Sequence, residues 1–140
     1  MIQQTACTCF KVNLASGAEN FTALSPYTYK IALYTANANL GPATLTYTSD
    51  NEVTGTGYTA TGQALTIIPV TSGNSTTAYF SFQNVTWNPA NFTARGALIY
   101  NSTTNAAVCV LDFGSDKTAT NTFTVTFPAA TATDAVIRLN

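Results

Sequence analysis

The sequence predicts an all-β domain: an antiparallel β-sandwich of about seven to eight short strands. Three observations predict it. Apolar residues recur with a period of two along most of the chain. Thr fills 27 of 140 positions while only 8% of residues are charged; the branched Cβ of Thr is stiff at χ1 and packs well on a pleated surface. Polar turn clusters divide the chain into short segments and leave no room for crossover helices.

Residues 1–20 read as an N-terminal arm or edge strand, in which Phe10, Val12 and Leu14 alternate. Residues 21–140 form the single sandwich domain, a length able to bury a core without disulfide staples. Tyr27, Tyr29, Ile31 and Leu33 share one face, opposite Thr28, Lys30 and Ala32, which is a half-buried strand. Asn37 to Gly62 is long, polar and glycine-punctuated, and reads as loop with short ribbons. Gln63 to Val70 alternates again through Leu65 and Ile67; Pro69 has no N–H to donate and confines this strand to an edge or an end. Ala78, Phe80 and Phe82 oppose Thr77, Tyr79 and Ser81.

The stripe Phe92, Ala94, Gly96, Leu98 and Tyr100 is followed by Ala107, Cys109, Leu111 and Phe113. The short polar gap Asn101 to Asn105 makes the two a hairpin. Phe123, Val125 and Phe127 alternate with threonines, and Ala135, Ile137 and Leu139 close the chain. Ser72-Gly73-Asn74, Asn88-Pro89 and Gly114-Ser115-Asp116 carry turn chemistry between strands. Apolar residues or Thr on both faces of several strands suit packed sheets, in an immunoglobulin-like or jelly-roll-like sandwich.

Composition also narrows the chemistry. A net charge of −1 leaves no electrostatic footprint for nucleic acid or an anionic membrane. His is absent, which removes Ser-His-Asp, Cys-His and His-metal arrangements. Cys7, Cys9 and Cys109 are odd in number, and the one-residue spacing of the first two is poorly suited to a mutual bridge, so reduced thiols are expected. No fourth soft ligand completes a zinc site, and no metal or cofactor is predicted. No run approaches the ~18 apolar residues of a membrane span. The first residues lack the basic and apolar regions of a signal peptide, which leaves the five Asn-x-Ser/Thr sequons a weak sign of glycosylation.

Remaining motifs have simple structural readings. Asp112-Phe113-Gly114 matches a kinase tripeptide without its companions and reads as a strand ending in a glycine turn. Gly55-Thr56-Gly57 lacks the third glycine and the following helix of a nucleotide loop. Two close carboxylate pairs, Asp50 with Glu52 and Asp112 with Asp116, have the oxygen chemistry for calcium or glycosidase work. Neither has the ligand density of a known loop motif, and both read as loop acids or turn caps. No catalytic residue is predicted. Trp87, beside Asn88-Pro89, is the one ring placed at a surface, where stacking on a sugar is the alternative role; a core edge fits a lone ring with a polar handle just as well.

Four segments carry a resemblance: Ile31-Ala32-Leu33-Tyr34-Thr35; Asn51-Glu52-Val53-Thr54-Gly55-Thr56-Gly57-Tyr58; Ala94-Arg95-Gly96-Ala97-Leu98-Ile99-Tyr100-Asn101; and Val110-Leu111-Asp112-Phe113-Gly114-Ser115-Asp116-Lys117. In this order, with Ile137-Arg138 near the end, they resemble a family of small proteins encoded among the virion structural genes of tailed bacteriophages. The likeness spans Tyr29 to Leu139; where the family often shows Gly-Gly, this chain has Thr61-Gly62. The resemblance implies a capsid-decorating (cement) protein without catalytic residues, assembled into virions in the host cytoplasm. It implies as partners further copies of the chain, the major capsid protein or tail subunits. A tail- or neck-associated structural protein, or a carbohydrate- or receptor-binding module on the virion surface, is the alternative. The arm Met1 to Glu19, with Phe10, Val12 and Leu14, the loop 37–62 and Trp87 are the expected interaction surface.

Overall fold

The computed structural model describes all of residues 1–140. The aromatic and β-branched runs form ten strands, with one short helix near the start: β1 Thr5–Ala6, α1 Thr8–Ala15, β2 Tyr29–Tyr34, β3 Gln63–Ala64, β4 Ile67–Ser72, β5 Ala78–Phe82, β6 Val85–Trp87, β7 Phe92–Asn101, β8 Ala106–Ala119, β9 Phe123–Val125 and β10 Ile137–Leu139. All strand pairs are antiparallel, in a five-stranded sheet β1-β8-β7-β2-β3, a three-stranded sheet β10-β5-β4 and a ribbon β6-β9. The fold class is as predicted, all-β and sandwich-like. The strand number exceeds seven or eight because several strands are only two or three residues long. No helix is long and apolar enough to cross a membrane.

β2, expected to be half-buried, is instead buried on both faces, as is most of β7. Alternation along β2 puts Tyr29, Ile31 and Leu33 on one face and Lys30, Ala32 and Tyr34 on the other. The first face meets the small sheet through an aromatic cluster: Phe21 stacks on Tyr29 at 4.6 Å and on Phe80 at 3.8 Å between ring centroids. Phe10 and Phe82 meet Phe21 edge-on at 5.9 and 6.3 Å. Such offset and edge contacts suit the ring quadrupole and add to the burial itself. The second face is covered by the segment between β2 and β3. Tyr34 Oη donates to the Thr48 carbonyl at 2.6 Å, Tyr100 Oη to the Thr61 carbonyl at 2.7 Å, and Tyr47 stacks on Tyr100. The loop 37–62 is therefore a covering layer. Isolated bridges at Leu40, Thr46, Glu52 and Thr56 pin it, and Ala38, Leu40 and Val53 are buried.

Further local readings are revised. Thr5–Ala6 is an edge strand on β8, but Phe10, Val12 and Leu14 lie in α1. At 100° per residue their alternation scatters: Phe10 is buried, Val12 is 61% exposed and Leu14 is half-buried. Gly114-Ser115-Asp116 does not end a strand; β8 runs on to Ala119, past a register shift opposite Ala94 and Gly96. Trp87 is 1% exposed, so the surface position expected for it is overturned. The hairpin at Asn101–Asn105 is as predicted; the single strand expected over Gln63 to Val70 is divided into β3 and β4 on different sheets, of which β4, holding Pro69, lies at an edge.

Candidate interaction groove

The acidic side chains carry the catalytic and calcium alternatives. Glu52 ties distant parts of the covering loop to one another, while its backbone bridges to Tyr34 of β2. Its Oε2 accepts from Tyr47 Oη at 2.6 Å; its Oε1 accepts from Tyr58 Oη at 2.6 Å and from the Thr61 N–H at 2.8 Å. Burial, then this hydrogen bond, pushes the Tyr47 and Tyr58 hydroxyls well above their ordinary range. Asp50, its sequence partner, is exposed in a turn. Asp112 Oδ1 accepts from the Gly114 N–H at 2.8 Å and from Arg95 Nε at 3.1 Å. These contacts hold its carboxyl below the usual value. Asp116 is exposed, and Asp134 accepts from the hydroxyls of Thr131 and Thr133.

Glu19 sits deeper. It is 7% exposed; Oε2 accepts from Tyr29 Oη at 2.6 Å and from Asn101 Nδ2 at 3.2 Å, while Oε1 is buried without a partner. Desolvation pushes its pKa above the ordinary 4.5, against the two hydrogen bonds that lower it. The folded state thus favours the neutral acid. Below the ordinary value both states are protonated and the penalty vanishes. As pH rises past about 4.5 the unfolded chain ionises freely and the folded chain resists, so stability falls until the folded pKa is passed. Asp112 and Asp134, held below the ordinary 3.8, act oppositely and weaken the fold at lower pH. Urea midpoints measured from about pH 4.5 upward are expected to fall for the wild type and to stay flatter for Glu19→Gln. Parallel curves would remove Glu19 as the cause.

The largest hollow, about 670 Å³, lies where the two sheets leave their edges uncovered. β1 ends the large sheet and β10 ends the small one, each with a strand neighbour on one side only. Residues 135–140 form one wall; Phe10, Lys11, Leu14 and Ala15 of α1 form another, and Cys109 to Leu111 of β8 lie between. Leu139 is 44% exposed there. A second hollow of about 370 Å³ shares Gln4, Leu111, Ala135, Val136 and Arg138 with it, so the trough continues along β10.

Of the four residues expected at the interaction surface, Phe10 and Leu14 line this groove, Phe10 with almost no exposure. Val12 is exposed but does not line it. Trp87 is elsewhere, buried among Tyr58, Phe92 and Phe123. Sequence reasoning missed Lys11 and Arg138 as surface determinants. The available signal was that only five cations exist, one of them at the centre of the last alternating run. Burial pushes the Cys7 thiol up to about 11 and the Cys109 thiol up to about 12, and all three cysteines are free. Comparison with protein-family models, curated proteins and solved structures gave no significant match.

Proposed function

We propose that this chain is a virion structural subunit of a tailed bacteriophage that decorates the capsid and performs no chemistry. The observation that carries the assembly role is the open flank, where two unpaired sheet edges border one apolar groove. Such edges are ready templates for pairing with another chain unless something covers them. The rest of the surface suits large neutral contacts, since few ions need desolvation on binding. Four of the six acids are engaged in internal hydrogen bonds, which favours a structural role for them. The link to a capsid comes from the resemblance of β2, β7, β8 and the Asn51–Tyr58 loop to phage virion proteins.

The mechanism is cross-bridging. Each copy binds across neighbouring shell subunits, so separating them must also break its contacts. Particles assembled with and without the chain test this by heating and by pressure. The decorated shell is expected to survive both further; equal resistance would reject the cement role.

A further inference from the structure

We infer that the groove receives an extended, carboxylate-bearing segment of a different protein, laid as a further strand on β10. The source of that segment rests on the assembly reading; the site itself does not. β10 is paired on one side with β5; all three of its residues line the larger hollow and Arg138 also lines the continuation, so an added strand has a walled bed along the length of β10. Leu14, Leu111 and Leu139 offer apolar contact to alternate side chains, while backbone pairing supplies affinity.

Charge selects the occupant. Lys11 and Arg138 line the larger hollow, which has no Asp or Glu side chain in its wall. In the continuation, Asp112 is already paired with Arg95; Asp134, which lines neither hollow but feels the charge of Arg138, is held by the Thr131 and Thr133 hydroxyls. The other cations are engaged: Lys30 Nζ donates to Thr61 Oγ1 at 2.6 Å and Lys117 Nζ to Ser115 Oγ at 3.0 Å. Lys11 and Arg138 thus remain as the two basic side chains without an internal hydrogen-bond partner, and both are exposed beside the groove. A second copy is a poor occupant. Arg138 is the middle residue of β10, so antiparallel pairing of two β10 strands about it sets like charges opposite each other. The same arginine blunts pairing with neutral or basic edges and admits an acidic one.

The test is an NMR titration of the full chain with a short synthetic peptide alternating Glu and Val, against one alternating Lys and Val. The acidic peptide is expected to shift the amides of β10 and of Thr5–Ala6, and the lysine peptide is not. The double variant Lys11→Glu/Arg138→Glu should bind the acidic peptide roughly tenfold more weakly. Unshifted amides of β2 and β7, which lie away from the groove, establish that the variant is folded. The inference is overturned if neither peptide shifts β10, if both do equally, or if β10 amides move with protein concentration alone, which would mean a second copy. Failure here leaves the particle experiment above intact, and failure of that experiment leaves this binding intact.

Discussion

Gly62→Ala is expected to destabilise the fold by at least about 3 kcal/mol, seen as a lower urea midpoint at unchanged slope. Gly62 has φ +79°, and a Cβ there would lie 1.8 Å from the Ile31 carbonyl oxygen, 2.6 Å from its carbon and 2.8 Å from Ala32 Cα. All three atoms belong to the backbone of β2, the strand buried on both faces, so nothing yields without moving the sheet. The left-handed conformation adds about 1–2 kcal/mol for any residue with a Cβ. Its neighbour Thr61, at φ 80°, already bears that strain. Three contacts hold it there: its N–H donates to Glu52, its carbonyl accepts from Tyr100, and its hydroxyl accepts from Lys30. Thr61→Gly removes the strain but also the hydroxyl and some rigidity of the unfolded chain. These offset, and a change within about 1 kcal/mol is expected. If Gly62→Ala folds as stably as the wild type, the close approach of this turn to β2 is wrong.

These residues show what the sequence could and could not reveal. The three central strands of the large sheet, β2, β7 and β8, were legible because a period of two survives even where both faces are buried. The hairpin was legible because its turn chemistry is local: Asn101 Oδ1 accepts from the N–H groups of Thr103 and Thr104. The start of α1 was not. Its N-cap, Cys7, offers no side-chain hydrogen bond, so no starting signal exists. Phe10 and Leu14 satisfy a strand's alternation and a helix's four-residue spacing equally, and the choice is made by the aromatic cluster that Phe10 joins. A stop signal was present in Ser16-Gly17, where Gly17 adopts φ 80° and donates to the Leu14 carbonyl. Glu52 was visible as an acid but not as the centre of a tyrosine cluster, because its partners converge only once the covering loop folds. The groove was illegible for a similar reason: its walls are joined across most of the chain, and edge positions follow from strand order rather than from pattern.

Trp87 tests that lesson most sharply, since its neighbours in sequence suggest a surface and its packing makes it core. β6 pairs with β9 so that Trp87 lies opposite Phe123; its ring is 6.0 Å from that of Phe123, 6.1 Å from Tyr58 and 6.4 Å from Phe92. Trp87→Ala removes the centre of this cluster and leaves a cavity that the two-stranded ribbon can close only in part, at a cost of about 3–5 kcal/mol. Trp87→Phe separates packing from polarity. The indole N–H is buried without an acceptor, so the native residue already bears a desolvation penalty of about 1–3 kcal/mol that Phe escapes. Phe refills most of the volume, and the lost area and the relieved N–H offset each other to within about 1 kcal/mol. Circular dichroism melting of both variants, at matched concentration, measures the difference. A sugar-stacking Trp would show the reverse pattern: an Ala variant as stable as the wild type, with glycan binding lost. Equal melting of wild type and Trp87→Ala would therefore return Trp87 to the surface and dissolve the ribbon's core.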